Sequence, residues 1–352
     1  MSDIRLKNFT FCRYIFYKQQ EVHSLKKLMV IFLLIALLAA GCSTAKTESS
    51  TEEYKIGILL SDAGLGDESF NDSAFKGLEK ARDELGILFD YKEAPDGNYE
   101  EKLNELVAEK YDIIIGLGFS VQEALEKTAK QFPEQQFILI DGQSDVDNII
   151  SITFKEQEGS FLVGMVAAMT SKTGKIGFIG GADAPVIHHF ENGFIEGARY
   201  VQPTIEILSE YAGTFDDTQA GAAIADQYIK TNVDFIYHAA GFTGFGAIKK
   251  AEEKGIYAAG VDIDQFFVAE KTVVTSMLKN VDLAVYQLAK TLVEDGRITE
   301  KSFALGLADQ GVGLADIRVI QLTTEQQAAI EKAREAIVSG TIKVTAEKRD
   351  GQ

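Results

Sequence analysis

From residue 54 onward the chain alternates, with few exceptions, between short β-branched or aliphatic runs and longer stretches with apolar residues at helical spacing. The strand-like runs fall at 55–60, 88–92, 113–117, 137–140, 149–154, 175–179, 206–210, 235–239, 256–261 and 273–277. Helical patterns cover 72–85, 98–109, 120–131, 156–171, 189–201, 217–231, 244–254 and 281–295. Strand, helix and strand in succession mean a parallel sheet wrapped by helices, because parallel neighbours need a crossover between them. So many strands over about 300 residues exceed one comfortable core. The pattern divides near Phe154 into two similar halves. The expected fold is therefore α/β: two doubly wound parallel-sheet lobes with a hinge and an inter-lobe cleft. The helix expected at 156–171 is apolar nearly all round, and Glu156, Glu158 and Lys172 bracket a run too short for a membrane, so it reads as a buried helix.

In open α/β sheets ligands bind outside the carboxyl ends of the strands, which directs attention to the residues there. The stretch 61–78 joins the first strand to the first helix and presents Asp62, Phe70 and Asn71. Asp141, Phe215, Asp262, Asp264 and Lys279 also follow strands, from both halves of the chain. Each alone is more often a helix cap, a hydrophobic staple or a surface charge; together they share an edge. Two glycine-rich turns, Gly116-Leu-Gly118-Phe119 and Gly241-Phe-Thr-Gly244-Phe-Gly246, each follow a strand and open a helix. Neither completes G-x-G-x-x-G, so they read as places where backbone approaches a ligand.

Composition narrows the function classes. The chain of 352 residues carries 35 Lys plus Arg against 53 Asp plus Glu, a net charge of −18, which argues against a nucleic-acid partner. Of the four histidines, His23 lies near the N-terminus, His188 and His189 are adjacent and face different ways on a helix, and His238 ends a strand. No metal set, Walker A loop or G-x-S-x-G elbow follows, and no cofactor is expected. At the N-terminus Lys26-Lys27 precede an apolar run over 28–40 that ends in Ala39-Ala40-Gly41-Cys42. That run is too short to span a bilayer and reads as a signal peptide. Small residues ahead of a cysteine resemble the bacterial lipobox, in which the cysteine is lipidated and becomes the mature N-terminus. Residues 1–41 are then leader and signal peptide, and 42–53 a polar tether on the extracytoplasmic face of the cell membrane.

Gly66-Asp-Glu-Ser-Phe-Asn-Asp-Ser-Ala74, Val186-Ile-His-His-Phe-Glu-Asn-Gly-Phe-Ile-Glu-Gly-Ala198, Gly260-Val-Asp-Ile-Asp-Gln265 and Thr275-Ser-Met-Leu-Lys-Asn-Val-Asp282 carry a resemblance. Over about residues 54–344 the chain resembles the basic membrane protein family of bacterial lipoproteins, whose best understood members are purine nucleoside receptors of the type A kind. The resemblance implies a non-enzymatic protein with the type I periplasmic binding fold, delivering a nucleoside to an ABC permease and its ATPase. It further implies that Phe70 and Phe215 face the two sides of the base. Asp62, Asn71 and Asp141 would supply polar contacts, Gly241 would admit close backbone approach, and Asp262 with Lys279 would hold the ribose. Two other readings stay open on the sequence: a ligand-sensing lipoprotein without transport, and an NAD-type or sugar-processing enzyme on the same architecture. The expected boundaries are 54–154 plus about 266–301 for one lobe and 155–265 plus about 302–352 for the other. The hinges are expected near Phe154, 261–266 and 301–306.

Overall fold

The computed structural model describes residues 53–346; the leader, the signal peptide, Cys42 and all but the last residue of the tether lie outside them. Twelve strands follow in chain order: β1 (Lys55–Leu59), β2 (Leu88–Lys92), β3 (Ile113–Leu117), β4 (Gln136–Ile140), β5 (Ile149–Phe154), β6 (Lys175–Gly180), β7 (Glu206–Tyr211), β8 (Phe235–Ala239), β9 (Tyr257–Asp262), β10 (Val273–Lys279), β11 (Ser302–Leu305) and β12 (Val312–Leu314). The α-helices are α1 (Phe70–Leu85), α2 (Tyr99–Ala108), α3 (Gln122–Gln131), α4 (Glu156–Thr170), α5 (Pro185–Val201), α6 (Thr218–Lys230), α7 (Gly241–Lys254), α8 (Val281–Asp295) and α9 (Thr324–Val338).

The strands form two six-stranded sheets of matching order, β11-β5-β4-β3-β1-β2 and β12-β10-β9-β8-β6-β7. Every pairing is parallel except β10 with β12. Helices cover both faces of each sheet, which is why β3 and β8 are buried along their whole length, β3 with apolar or small residues only and β8 with a single histidine, His238. In the first lobe α2 and α3 supply Leu103, Leu106 and Leu125 to one face. In the second, α6 and α7 supply Ile224, Tyr228 and Ala247. The buried α4 lies against α5 at very short range: a Cβ at Gly197 would stand 1.8 Å from the Phe161 carbonyl oxygen, so only glycine fits there. Several helices stop at a left-handed glycine, Gly86, Gly255 and Gly296, as expected where a Cβ would be strained.

Two of the expected boundaries are corrected. β10 pairs with β9, Met277 opposite Val261, and so belongs to the second sheet; β11 pairs with β5, Ser302 opposite Ser151, and belongs to the first. The chain therefore crosses between lobes at 154–156, 279–281 and 305–307, and the 261–266 segment is a turn within the second lobe. The physical reason is packing. After its crossing α8 lies on α1, where the space at Gly77 is filled by the Asp282 backbone (Cβ position to carbonyl oxygen 2.5 Å). The sixth strand of each sheet comes from the end of the chain: β11 returns to the first sheet beside β5, and β12 to the second beside β10.

Candidate functional site

The carboxyl ends of strands from both sheets face one another across a cleft with about 620 Å3 of atom-free space, the open solvent at its mouth included. Asp62, Phe70, Asp141, Phe215, Gly241, Asp262 and Lys279 all line it. Asn71, the remaining expected contact, is outside the lining and buried. Its side-chain oxygen accepts from the Ser61 N–H (2.9 Å), and its amide nitrogen donates to Ser61 Oγ and to Asp67 Oδ2 (2.9 Å each). The side chain is thus committed to the turn that holds Phe70, and the expectation of a ligand contact there is corrected. Asp67, which sequence reading passed over, is the centre of that turn: its carboxylate accepts from the backbone N–H groups of Ser69, Asn71 and Asp72. Asp62 sits at the exposed rim and accepts from the Tyr99 hydroxyl.

Lys279 ends β10 with its side chain 2% exposed. Its Nζ lies 2.5 Å from Asp141 Oδ2 and 2.9 Å from Glu156 Oε1. The rings of Phe70, Phe154 and Phe190 stand around the same ammonium, with centroids at 5.0, 5.1 and 5.4 Å. Burial works against the lysine's charge, but Asp141, Glu156 and Asp262 outweigh it and hold the pKa above the usual lysine value. Glu156 is 1% exposed and reaches His189 Nδ1 at 2.9 Å through its other oxygen. Burial raises its pKa, yet Lys279 and His189 prevail and lower it, so Glu156 is ionised. Burial, only partly offset by Lys279, pushes Asp141 up to about 6, and its Oδ1 is buried with no hydrogen-bond partner among the described residues.

Asp141 and Asp262 both lie at the carboxyl end of the third strand from the same edge of their sheets, β4 and β9, and both have φ near +64°. An L-residue there is strained, and aspartate is among the few types that tolerate it. The conformation turns each carboxylate toward the cavity rather than along the sheet. Asp262 Oδ2 accepts from the Ser69 hydroxyl of the opposite lobe. Burial, outweighing Lys279 and that hydroxyl, raises Asp262 to about 7. The glycine turns occupy equivalent places too, Gly118 after β3 and Gly241 after β8. At Gly241 (φ +51°) a Cβ would stand 3.3 Å from the Phe215 carbonyl oxygen, so a larger residue would press on the loop that carries that ring. Phe215 meets Phe119 of the first lobe edge-on, with centroids 6.2 Å apart.

The arrangement offers aromatic faces from both lobes, carboxylate acceptors at strand ends and one fixed cation. Among the described residues no group of three or more His, Cys, Asp or Glu side chains could hold a metal ion, and no helix is long and apolar enough to cross a membrane. Sequence reading missed Glu156 and His189, which stood there as a helix-bracketing charge and an unplaced imidazole. It also missed Ser69, Phe119, Phe190 and Gln265. Ser69, His189, Phe190 and Gln265 lie within the motifs that carry the resemblance and Phe119 in a glycine-rich turn, and those were the signals that could have found them; Glu156 offered only an acidic residue in the first turn of an otherwise apolar helix.

A model of the family described as "ABC transporter substrate-binding protein PnrA-like" matches residues 55–348. The chain belongs to this family. The PnrA-like protein is 35% identical over 267 residues to basic membrane protein A of Borreliella burgdorferi, covering 74% of this chain and 78% of the relative. It is 34% identical over 347 residues to the CD4+ T-cell-stimulating antigen of Listeria innocua, covering 90% and 96%. The crystal structure of an ABC transporter solute-binding protein from Aeropyrum pernix superposes with a TM-score of 0.78 at 28% identity, covering 84% of this chain and 94% of the other. The family consists of extracytoplasmic substrate-binding proteins rather than enzymes, and it implies a small-molecule ligand with a permease and an ATPase as partners. The 186–198 motif that carried much of the resemblance works in the α4–α5 contact, through Gly193 and Gly197.

Proposed function

We propose that the PnrA-like protein binds a purine nucleoside in the inter-lobe cleft and, anchored by lipid at Cys42, presents it to the permease of an ABC importer. The observation that carries this reading is the placing of Phe70 and Phe215, one from each lobe, in the wall of a cavity whose other groups are strand-end carboxylates and a buried lysine. Aromatic faces take a purine whatever its substituents, and a carboxylate accepts from both vicinal hydroxyls of a ribose. Asp262 serves the ribose with Lys279 behind it. Asp141, whose Oδ1 has no partner among the described residues, is a polar contact.

Titration calorimetry of the purified protein with adenosine, guanosine and inosine tests the ligand class, and mass spectrometry of molecules released on denaturation identifies what the protein carries from cells. Saturable binding of at least one purine nucleoside is expected; sugar binding with no nucleoside response would overturn the reading. Cys42→Ala is expected to free the protein from the washed membrane fraction with nucleoside binding intact. Equal retention of variant and parent would refute the lipid anchor.

A further inference from the structure

Gln265 lies in neither the ligand contacts proposed above nor the cavity lining, yet it is 2% exposed and spans the cleft. It opens the short 3-10 turn Gln265–Val268 that follows β9 in the second lobe. Its Oε1 accepts from the Val261 N–H (3.0 Å), and its Nε2 donates to the carbonyl oxygen of Glu68 in the first lobe (2.9 Å). A backbone N–H can only donate and a carbonyl can only accept, so these two contacts fix which end of the amide is which. His238 Nε2, 3.0 Å from the same Oε1, must then be a donor. Burial keeps that ring neutral, lowering its pKa to about 4 against the pull of the Gln265 bond.

Both sides of the bridge are braced. In the second lobe the Gln265 N–H donates to Ser276 Oγ (3.0 Å). Glycine at 260 leaves the room the amide needs, since a Cβ there would stand 2.6 Å from Oε1. The turn is pinned by Asp264 to Arg318 (2.7 Å), whose guanidinium lies 4.7 Å from the Phe266 ring centroid. In the first lobe Glu68 has φ +51°, and its N–H is held by Asp72 Oδ2 (3.1 Å), which aims its carbonyl across the cleft.

We propose that Gln265 is a closure residue: held rigidly by one lobe, its amide grips the Glu68 carbonyl of the other and sets how firmly the lobes stay shut, without touching the ligand. The neighbouring Ser69–Asp262 bond also spans the cleft, but Asp262 lines the cavity, so its loss mixes closure with ligand contact. Gln265 separates the two. The proposal concerns closure and not ligand chemistry, so it stands whichever small molecule the cleft takes.

Gln265→Glu is nearly isosteric and keeps an oxygen for Val261 and His238, but it sets a carboxylate oxygen against the Glu68 carbonyl. Small-angle scattering of the purified full chain without ligand is expected to give a larger radius of gyration for Q265E than for the parent. Stopped-flow release of adenosine is expected to be about five- to thirty-fold faster, with association changed less than about two-fold. Gln265→Ala removes the donor without the opposed oxygens and should show the same shifts at smaller size. It carries the test if Q265E fails to fold. A purely structural role would lower the thermal midpoint and leave scattering and release alone. The proposal is overturned if folded variants scatter like the parent with and without adenosine and release it at the parent's rate. If the parent binds no nucleoside, the nucleoside reading fails by itself and ligand-free scattering alone decides closure: expansion supports it, identity refutes it.

Discussion

Asp141 and Asp262 occupy the same place in the two lobes, at the ends of β4 and β9 with the same left-handed backbone, and yet they are partnered differently. Asp141 is tied to a buried ammonium that Glu156 shares; Asp262 is tied to a hydroxyl from the other lobe. A repeated fold thus supplies two inward carboxylates, and the divergent side chains around them assign the roles. Asp141 belongs to a buried charge cluster beside the chain crossings. Asp262 instead meets a neutral hydroxyl from the loop after β1.

The sharpest break of that comparison is Lys279→Met. It leaves Asp141 and Glu156 buried without their cation and is expected to lower stability by about 3–5 kcal/mol in denaturant unfolding. A loss below about 1 kcal/mol would show that the cluster is not what fixes Asp141. Next come Phe70→Leu and Phe215→Leu, which keep bulk but remove a stacking face. Affinity for purine nucleosides should fall roughly five-fold to over a hundred-fold, by about 1–3 kcal/mol per base, with folding largely spared. Calorimetry on each variant checks both, and an effect at one ring only would place the base against a single lobe.

Asp262→Asn keeps shape and removes the charged acceptor. It should weaken ribonucleosides more than 2′-deoxynucleosides, by roughly ten-fold, the worth of about 1.4 kcal/mol. Equal weakening of both series would move the ribose away from Asp262. The smallest effect is in the pH dependence of stability. Asp141 and Asp262 have folded-state pKa values raised to about 6 and about 7, so between their unfolded values near 4 and those points the folded state holds more protons. Stability should therefore fall as pH rises through that window, by at most about 1.4 kcal/mol per pH unit for each group. Denaturation midpoints across pH 4–8 measure the slope. Asp262→Asn should flatten the part between pH 6 and 7 and reduce the slope between 4 and 6 to what Asp141 alone supplies; a parent slope of the opposite sign would show the acids are not raised.

Much of this was legible before the structure. The period of the apolar residues gave strands and helices, and the strand-end rule gathered Asp141, Phe215, Asp262 and Lys279 from segments far apart in the chain. Strands β11 and β12 escaped because four and three residues carry too little pattern. Helix α9 had a readable start, with Thr323 and Gln326 exchanging side-chain and backbone hydrogen bonds as a capping box does. The lobe boundaries were misplaced because nothing local in residues 266–301 records which sheet a strand joins; that is settled by pairing with β9 and by α8 meeting α1. Asn71 was misassigned for a related reason. Sequence places it in the right loop, but whether an amide faces a cavity or its own backbone depends on where Asp67 and Ser61 stand.

The return of β11 to the first sheet has a consequence in time. Until Ser302 is made, β5 is the bare outer edge of its sheet, and 148 residues separate it from the strand that will cover it. At about 5–20 residues per second that wait is roughly 7–30 seconds, during which the whole second lobe through β10 emerges. Ile149-Ile-Ser-Ile-Thr-Phe154 is a β-branched, uncharged edge of the kind that pairs readily with any strand it meets. The first sheet is thus completed only after nearly all of the second lobe has been made, and its hazard during synthesis lies in the strand that waits.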